Sequence, residues 1–219
     1  MFKLAAELRY GQAMRLSRES VLKGAFAILD RYGLADLTMR RLAAELGIQP
    51  GGLYWHFANK QTLLAAMADQ ITGSDRFTEP DRFMGETGWR PELQMVSTRL
   101  RSALLAHRDG AELVAAGYAL RPGSGQPLER MTKIIQQAGL GDHDAAAAAA
   151  TLTHFVLGHA AEVQAHDQLR RAGALPDDHD QFPDPDAAFT TGLEIVLDGI
   201  AARCSAVNAA PSTPRSRAR

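Results

Sequence analysis

Histidine and glutamate side chains recur at helical spacing in the C-terminal half of this 219-residue chain. His159, Glu162 and His166 lie three and four residues apart, so on a helix they share one face with Thr151 and Phe155. Such a face can line a pocket in which Phe155 supplies apolar area and the polar groups orient a ligand. The same spacing also suits a metal ion. A polar strip at a dimer seam or on the surface is the third interpretation, and the sequence leaves all three open.

A second group, in residues 49–60, combines aromatic and basic side chains. Leu53 and Phe57 are four residues apart and can face a core, while Trp55 can serve either the core or the surface. The side chains that would then point towards phosphates are Tyr54, His56 and Lys60. An aromatic cluster alone is typical of a core. Whether this aromatic cluster belongs to a core or to a binding surface therefore depends on the helices that precede it.

The composition predicts an all-α protein. The chain is 46% hydrophobic and 22% charged, aromatic residues make up only 6%, and alanine is plentiful, which favours helix over sheet. No run approaches the roughly 20 apolar residues of a membrane span, and charges interrupt the N-terminus where a signal peptide would be apolar. We expect a soluble cytoplasmic protein with no strand and no cofactor. The single cysteine, Cys204, can form neither an intramolecular disulfide nor a cysteine-based zinc cluster.

Turn residues and charge divide the chain into segments. These are a basic extension (1–16), a helical unit (17–72), a Gly- and Pro-rich connector (73–91), a larger helical unit (92–204) and a disordered basic tail (205–219). The charge is uneven: residues 1–60 hold nine basic and five acidic side chains, whereas residues 61–204 hold twelve and twenty. A positive N-terminal unit beside an acidic body indicates that only the former faces a polyanion.

Capping signals place four helices in the first unit. Ser17, Thr38 and Asn59 are predicted N-caps, and Pro50 suits the first position of a short helix that runs through His56. Helices are also predicted over 92–107, 109–119, 126–139, 142–169 and 186–204. A glycine turn separates the second and third helices, as a helix-turn-helix requires.

Residues 17–67 resemble the DNA-binding domain of the tetracycline repressor (TetR) family. The motifs are Thr38-x-x-x-Leu42-Ala43-x-x-Leu46-Gly47-Ile48 and Leu53-Tyr54-Trp55-His56-Phe57-x-x-Lys60. The resemblance implies that Arg40 and the start of the third helix read bases, and that basic and aromatic groups hold phosphates. The predicted DNA contacts are Thr38, Arg40, Gln49, Gly51, Gly52, Tyr54, Trp55, His56 and Lys60. Because Gly51 and Gly52 have no side chains to read bases, specificity would depend on Arg40, Gln49 and DNA shape.

The resemblance continues into the larger unit. Leu104-Leu105-Ala106-His107-Arg108-Asp109-Gly110-Ala111 and His154-Phe155-Val156-Leu157-Gly158-x-x-x-Glu162-x-Gln164 are similar to the regulatory domain of tetracycline repressors. A small-molecule site is thereby implied, with His154, Phe155, His159, Glu162 and His166 as its predicted contacts. The family's magnesium-binding histidine is matched here by Val114, so neither tetracycline nor magnesium is carried over.

The leading hypothesis is a homodimeric, ligand-responsive transcriptional repressor. Its predicted partners are double-stranded palindromic operator DNA, a small-molecule effector and a second copy of the chain, with no membrane. One alternative is a helical metal-binding enzyme that uses His159, Glu162 and His166, with the N-terminal unit serving only for targeting. The other is a constitutive DNA-binding protein without an effector.

Overall fold

The computed structural model describes residues 16–73, 88–121, 125–175 and 184–209, and within these ranges every regular element is a helix. The predicted all-α class is therefore confirmed. The helices are α1 (Arg18–Tyr32), α2 (Met39–Glu45), α3 (Pro50–Tyr54), α4 (Lys60–Thr72), α5 (Trp89–Leu105), α6 (Gly110–Leu120), α7 (Gln126–Gln137), α8 (Asp142–Arg171) and α9 (Pro185–Ala209). None of these described helices is both long enough and apolar enough to cross a membrane.

The three predicted N-caps of the first unit are confirmed. The Ser17 hydroxyl accepts from the backbone N–H of Ser20, and that of Thr38 accepts from the N–H three residues further on. The side chain of Asn59 accepts from the N–H of Thr62, whose hydroxyl in turn accepts from the backbone N–H of Asn59. These bonds satisfy backbone donors that a helix start leaves unpaired, so local sequence alone places the helix starts.

Six of the helices end one to five residues away from the predicted position, and two of these differences have a clear local cause. The third ends at Tyr54 rather than His56, because the N–H groups of His56 and Phe57 both turn back to the carbonyl of Leu53. The last helix continues to Ala209, past the predicted end at residue 204, because no Gly or Pro interrupts residues 205–209. The predicted N-terminal extension before Leu16, most of the connector and the tail beyond residue 209 lie outside the described residues.

Helices α1 to α4 contribute to a core that is continuous with that of the larger unit. Leu53 is fully buried and Phe57 is 2% exposed, so both face inwards as their spacing predicts. The other buried apolar side chains of this unit include Val21, Ala25, Ile28, Leu29, Leu42, Ala43, Leu63 and Met67. A core of this kind fixes the short helix α3, which has too few turns to be stable alone.

Helix α4 also packs against the larger unit, chiefly against α6. The approach is close, since a Cβ atom added at Gly117 would lie 2.4 Å from the Cβ of Ala68. At the end of α6, the Arg121 guanidinium donates to the carbonyl of Ala65 over 3.3 Å and forms an ion pair with Asp69. The last helix of the first unit is therefore held directly by a helix of the larger unit.

A second joint is the loop between α5 and α6. The Asp109 carboxylate accepts from the backbone N–H of Leu34 over 2.7 Å, and the carboxylate of Asp30 accepts from the N–H of Arg108 over 3.2 Å. On the opposite side, the amide of Gln164 on α8 donates to the carbonyl of His107 over 2.7 Å. The loop thus connects the end of α1 to the long helix α8.

Candidate nucleic-acid interface and effector cavity

The second and third helices have helix-turn-helix geometry. Gly47 adopts a φ of +66°, a left-handed conformation that glycine allows without strain, and the N–H of Ile48 bonds the carbonyl of Ala43 over 3.0 Å. Helix α3 begins three residues later at Pro50, with Gln49 extended before it. The predicted helix-turn-helix is therefore present, and α3 is the candidate reader helix.

The predicted DNA contacts lie on the accessible surface of this unit. Tyr54 is 52% exposed and Trp55 is 89% exposed, so Trp55 belongs to the surface and not to the core. A Cβ atom at Gly51 would meet nothing within 4 Å, so the start of α3 offers a bare backbone to any partner. The exposed members are Thr38, Arg40, Gln49, Gly51, Tyr54 and Trp55, and the half-buried members are Gly52, His56 and Lys60.

The two neighbouring arginines of α2 have different environments. The guanidinium of Arg41 lies 3.8 Å from the ring centroid of Tyr32 and forms an ion pair with Asp36. Arg40 is exposed and has no ion pair or hydrogen bond from its guanidinium to any described residue. Its charge is consequently available to a partner, whereas that of Arg41 is already engaged.

Arg18 is a candidate that sequence reasoning missed. It is the first residue of α1, and its guanidinium lies 4.8 Å from the ring centroid of Phe57, next to His56. The cation–π contact holds an exposed positive charge beside the residues that follow the candidate reader helix α3. No local signal joins residues so far apart in sequence, because the pairing exists only after α1 packs on the helix-turn-helix.

A cavity of about 740 Å³ lies between α6, α7 and α8. It has the size of a pocket for a drug-sized molecule. Its lining residues are Ala115, Tyr118, Ala119, Leu128, Glu129, Thr132, Lys133, Gln136, Ala146, Ala150, Thr153, His154 and Leu157. The cavity exists because the residues of α6 and α8 that face it include several alanines. Larger side chains at these positions would fill the gap between the two helices.

The predicted ligand contacts divide between two faces of α8. His154 lines the cavity, whereas Phe155 and His159 pack against Phe189 of α9, with ring centroids 5.6 Å and 5.2 Å apart. Glu162 is exposed and His166 is half-buried, and neither lines the cavity. Burial lowers the pKa of His159, and the nearby positive charge of Arg101 lowers it further.

Tyr118 has the most unusual environment of the cavity residues. Its hydroxyl is buried and has no hydrogen-bond partner. Burial, with a contribution from the negative charge of Asp69, raises the pKa of Tyr118 to about 12. The group is therefore a neutral phenol at physiological pH, and its hydroxyl lies against the backbone at Gly125. Sequence periodicity gave no sign of this environment.

In the part of the chain that the structure describes, no three His, Cys, Asp or Glu side chains come together where they could hold a metal ion. His159, Glu162 and His166 are included in those described residues. The spacing along α8 thus does not assemble a metal site by itself.

The chain matches two parts of one protein family. Residues 21–67 match the family described as bacterial regulatory proteins, tetR family, and residues 80–181 match the tetracyclin repressor-like C-terminal domain. The tetracycline repressor protein class A from transposon 1721 of Escherichia coli is 34% identical over 204 residues, which cover 86% of this chain and 92% of that protein.

Solved structures show the same relationship. The crystal structure of Mycobacterium smegmatis BioQ is 40% identical with a TM-score of 0.73, covering 86% of this chain and 99% of that one. BioQ has also been solved with its double-stranded DNA operator, at a TM-score of 0.68 and with the same identity and coverage. A TetR variant from Acinetobacter baumannii in complex with minocycline is 28% identical at a TM-score of 0.68, covering 86% of this chain and 98% of that one.

These matches decide between the functional classes that the sequence left open. They cover both units of the chain, and the relatives are transcriptional regulators, so the metal-binding enzyme is excluded. The helix-turn-helix and the cavity are the candidates for the two sites that such a regulator needs. The chain belongs to the TetR family and is a ligand-responsive transcriptional repressor that binds DNA through its helix-turn-helix.

Proposed function

We propose that this chain acts in the cytoplasm as a homodimer that binds a palindromic operator and leaves it when an effector occupies the cavity between α6, α7 and α8. One observation carries the proposal. Helix α6 lines the cavity with Tyr118 and, one residue earlier, touches α4 at Gly117. Anything that moves α6 therefore acts on α4, which packs against α1 and follows α3 in the chain.

We infer a dimer from the number and spacing of the DNA contacts that specific binding requires. A single reader helix neutralises few phosphates, whereas two readers about 34 Å apart, or at multiples of that distance, engage successive major grooves. Helices α8 and α9 are the proposed seam. Ile195 of α9 is 67% exposed, and the exposed face of α8 carries the small residues Gly158, Ala161 and Ala165, which would allow a partner helix to approach closely.

Arg40 should be a determinant of operator affinity. We expect an Arg40→Ala variant to bind the DNA upstream of its own gene about 10- to 100-fold more weakly, because a lost base contact costs about 1–3 kcal/mol. Fluorescence anisotropy of a labelled duplex at fixed salt measures this effect. Arg170→Ala, at the exposed end of α8, is the matched control and should bind as the wild type does. Equal affinity of the Arg40 and Arg170 variants would remove Arg40 from the interface.

Arg18 should act through charge alone. Affinity falls as salt rises, and we expect this dependence to be less steep for an Arg18→Ala dimer. The slope of log affinity against log salt should be smaller in magnitude by about two, since each phosphate contact contributes about 0.9 and the dimer has two copies. Arg18→Lys keeps the charge and should keep the slope. A salt titration by anisotropy is the measurement, and a slope that is the same for all three proteins would contradict a phosphate contact at Arg18.

The effector is proposed to differ from magnesium–tetracycline. Val114 is fully buried in the apolar core, and its side chain has no atom that can bind a metal ion. We therefore expect tetracycline with Mg²⁺ to leave the operator complex intact in the anisotropy assay. Release at drug concentrations near those of the protein would contradict this proposal without affecting operator binding itself.

A further inference from the structure

Two adjacent glycines, Gly51 and Gly52, lie at the start of the candidate reader helix α3, and nothing within the chain requires glycine there. Neither has the positive φ that favours glycine, in contrast to Gly47 in the preceding turn. A Cβ atom added at Gly51 would meet no atom within 4 Å, and one added at Gly52 would lie 3.5 Å from Cδ1 of Ile48, which is ordinary van der Waals contact. Both positions could therefore hold a larger residue without strain.

The glycines weaken the helix that contains them. Helix α3 has only five residues, Pro50–Tyr54. Glycine loses more backbone freedom on folding than alanine does, so an adjacent pair of glycines disfavours so short a helix. Because packing within the chain does not account for this pair, a partner that approaches α3 is the better explanation.

Other glycines within the described helices support this explanation. Close packing accounts for Gly24, Gly117 and Gly192, where an added Cβ would lie 2.9 Å or less from a neighbouring side chain. Gly158 and Gly199 have open space, as Gly51 does, and they are exposed on α8 and α9, the helices proposed as the dimer seam. Open glycines within helices thus occur where a second molecule is expected to approach.

The exposed side of α3 combines bare backbone with large side chains. Gly51 lies three residues before Tyr54 and four before Trp55, so the three residues share one side of the helix. A helix with its side chains is about 10–12 Å wide and the major groove is about 12 Å wide, so large side chains hold a helix backbone away from the floor of the groove. A first turn without side chains can lie closer to the base edges.

We propose that the backbone of Gly51 and Gly52 lies against base edges on the floor of the major groove, and that operator discrimination depends on the absence of side chains at both positions. The two glycines then determine specificity through shape, whereas Arg40 and Gln49 do so through their side chains. This inference depends on the proposed function only in taking α3 as the reader helix, and it does not involve the cavity or the effector.

Alanine substitution is a direct test, because it should have opposite effects on the fold and on DNA reading. The duplex is the one that the wild-type protein enriches from a random library. We expect Gly51→Ala and Gly52→Ala each to bind it about tenfold or more weakly in the anisotropy assay, since the methyl group displaces α3 from the base edges. Affinity for a scrambled duplex of equal length depends on phosphate contacts and should stay within about twofold of the wild type.

The fold should not suffer from either substitution. Without DNA, both variants should melt at the wild-type temperature or up to about 4 °C above it, because alanine restricts the unfolded chain and favours the helix. Gly141→Ala is the matched control, since its added Cβ also meets nothing within 4 Å but lies before α8, and it should bind both duplexes as the wild type does.

Unchanged discrimination between the two duplexes by either alanine variant would overturn the proposal at that position. An equal loss of affinity for both duplexes would overturn it as well, because phosphate contacts would then have been lost. A clearly lower melting temperature would show that the fold itself requires glycine. If the wild type enriched no duplex at all, operator reading and therefore the proposed function would fail, which is distinct from discrimination that survives in the alanine variants.

Discussion

A Gly117→Ala variant is expected to bind its operator at least tenfold more weakly than the wild type. The added methyl would lie 2.4 Å from the Cβ of Ala68, well inside van der Waals contact, so α4 and α6 must separate. Overpacking of this kind costs about 1–3 kcal/mol. Because α4 follows α3 in the chain and packs against α1, the displacement should change the position of α3 relative to the duplex. Anisotropy with labelled operator measures the loss of affinity.

A matched glycine tests whether the effect comes from this contact. At Gly141, the residue before α8, an added Cβ meets nothing within 4 Å. Gly141→Ala should therefore retain wild-type operator affinity and lose at most about 0.5 kcal/mol of stability as a poorer N-cap. If Gly117→Ala bound operator as tightly as Gly141→Ala does, the contact between α4 and α6 would not control the reader.

The second large effect is expected at the joint between the units. Asp109→Ala should lower the free energy of unfolding by about 2–4 kcal/mol. It removes a charged acceptor from the N–H of Leu34, which contributes about 1.5–3 kcal/mol, and it places alanine at a φ of +55°, which costs about 1 kcal/mol more. The amide of Gln168 also loses its carboxylate partner. Urea unfolding at one protein concentration measures the change, since a dimer's stability depends on concentration.

Asp109→Asn separates the two causes. Asparagine tolerates the left-handed conformation and keeps one acceptor oxygen for Leu34, so its loss should stay within about 1 kcal/mol. If the alanine variant were as stable as the asparagine variant, the carboxylate would contribute nothing at this joint. Operator affinity should fall further for alanine than for asparagine, because α1 would lose an attachment to the loop that precedes α6.

The sequence predicted the local elements well, because their causes are local. Ser17, Thr38 and Asn59 cap helices through bonds to backbone groups three residues away, and such bonds can be seen in the order of residues. The same holds for the glycine turn at Gly47, whose positive φ ends one helix before the next begins. The helix-turn-helix thus follows from short-range chemistry.

The cavity could not be located from sequence, because helical periodicity shows which residues share a face but not which neighbour covers that face. Phe155 and His159 share a face of α8 as predicted, yet Phe189 of α9 packs against it. The open face is the one that carries His154, where alanines of two helices oppose each other. The contribution of His154, Phe155 and His159 to ligand binding stays a prediction.

Contacts between residues far apart in sequence also give different environments to side chains that look equivalent in sequence. Arg40 and Arg41 are neighbours, but only Arg41 meets Tyr32 and Asp36, so only Arg40 is left for DNA. Arg18 lies beside the helix-turn-helix because its guanidinium packs on the ring of Phe57, 39 positions further on. In both cases the deciding contact is made by helix packing, which no motif records.

Two copies of the chain are expected to read one symmetric DNA site. Selection of bound duplexes from a random library by the purified protein, at moderate salt, tests this expectation without assuming which gene is regulated. We predict an enriched inverted repeat whose half-sites are about one or two helical turns apart. The Arg40→Ala variant should enrich that repeat less strongly. No enriched motif, or a single asymmetric half-site, would show that the protein does not read DNA as a symmetric dimer.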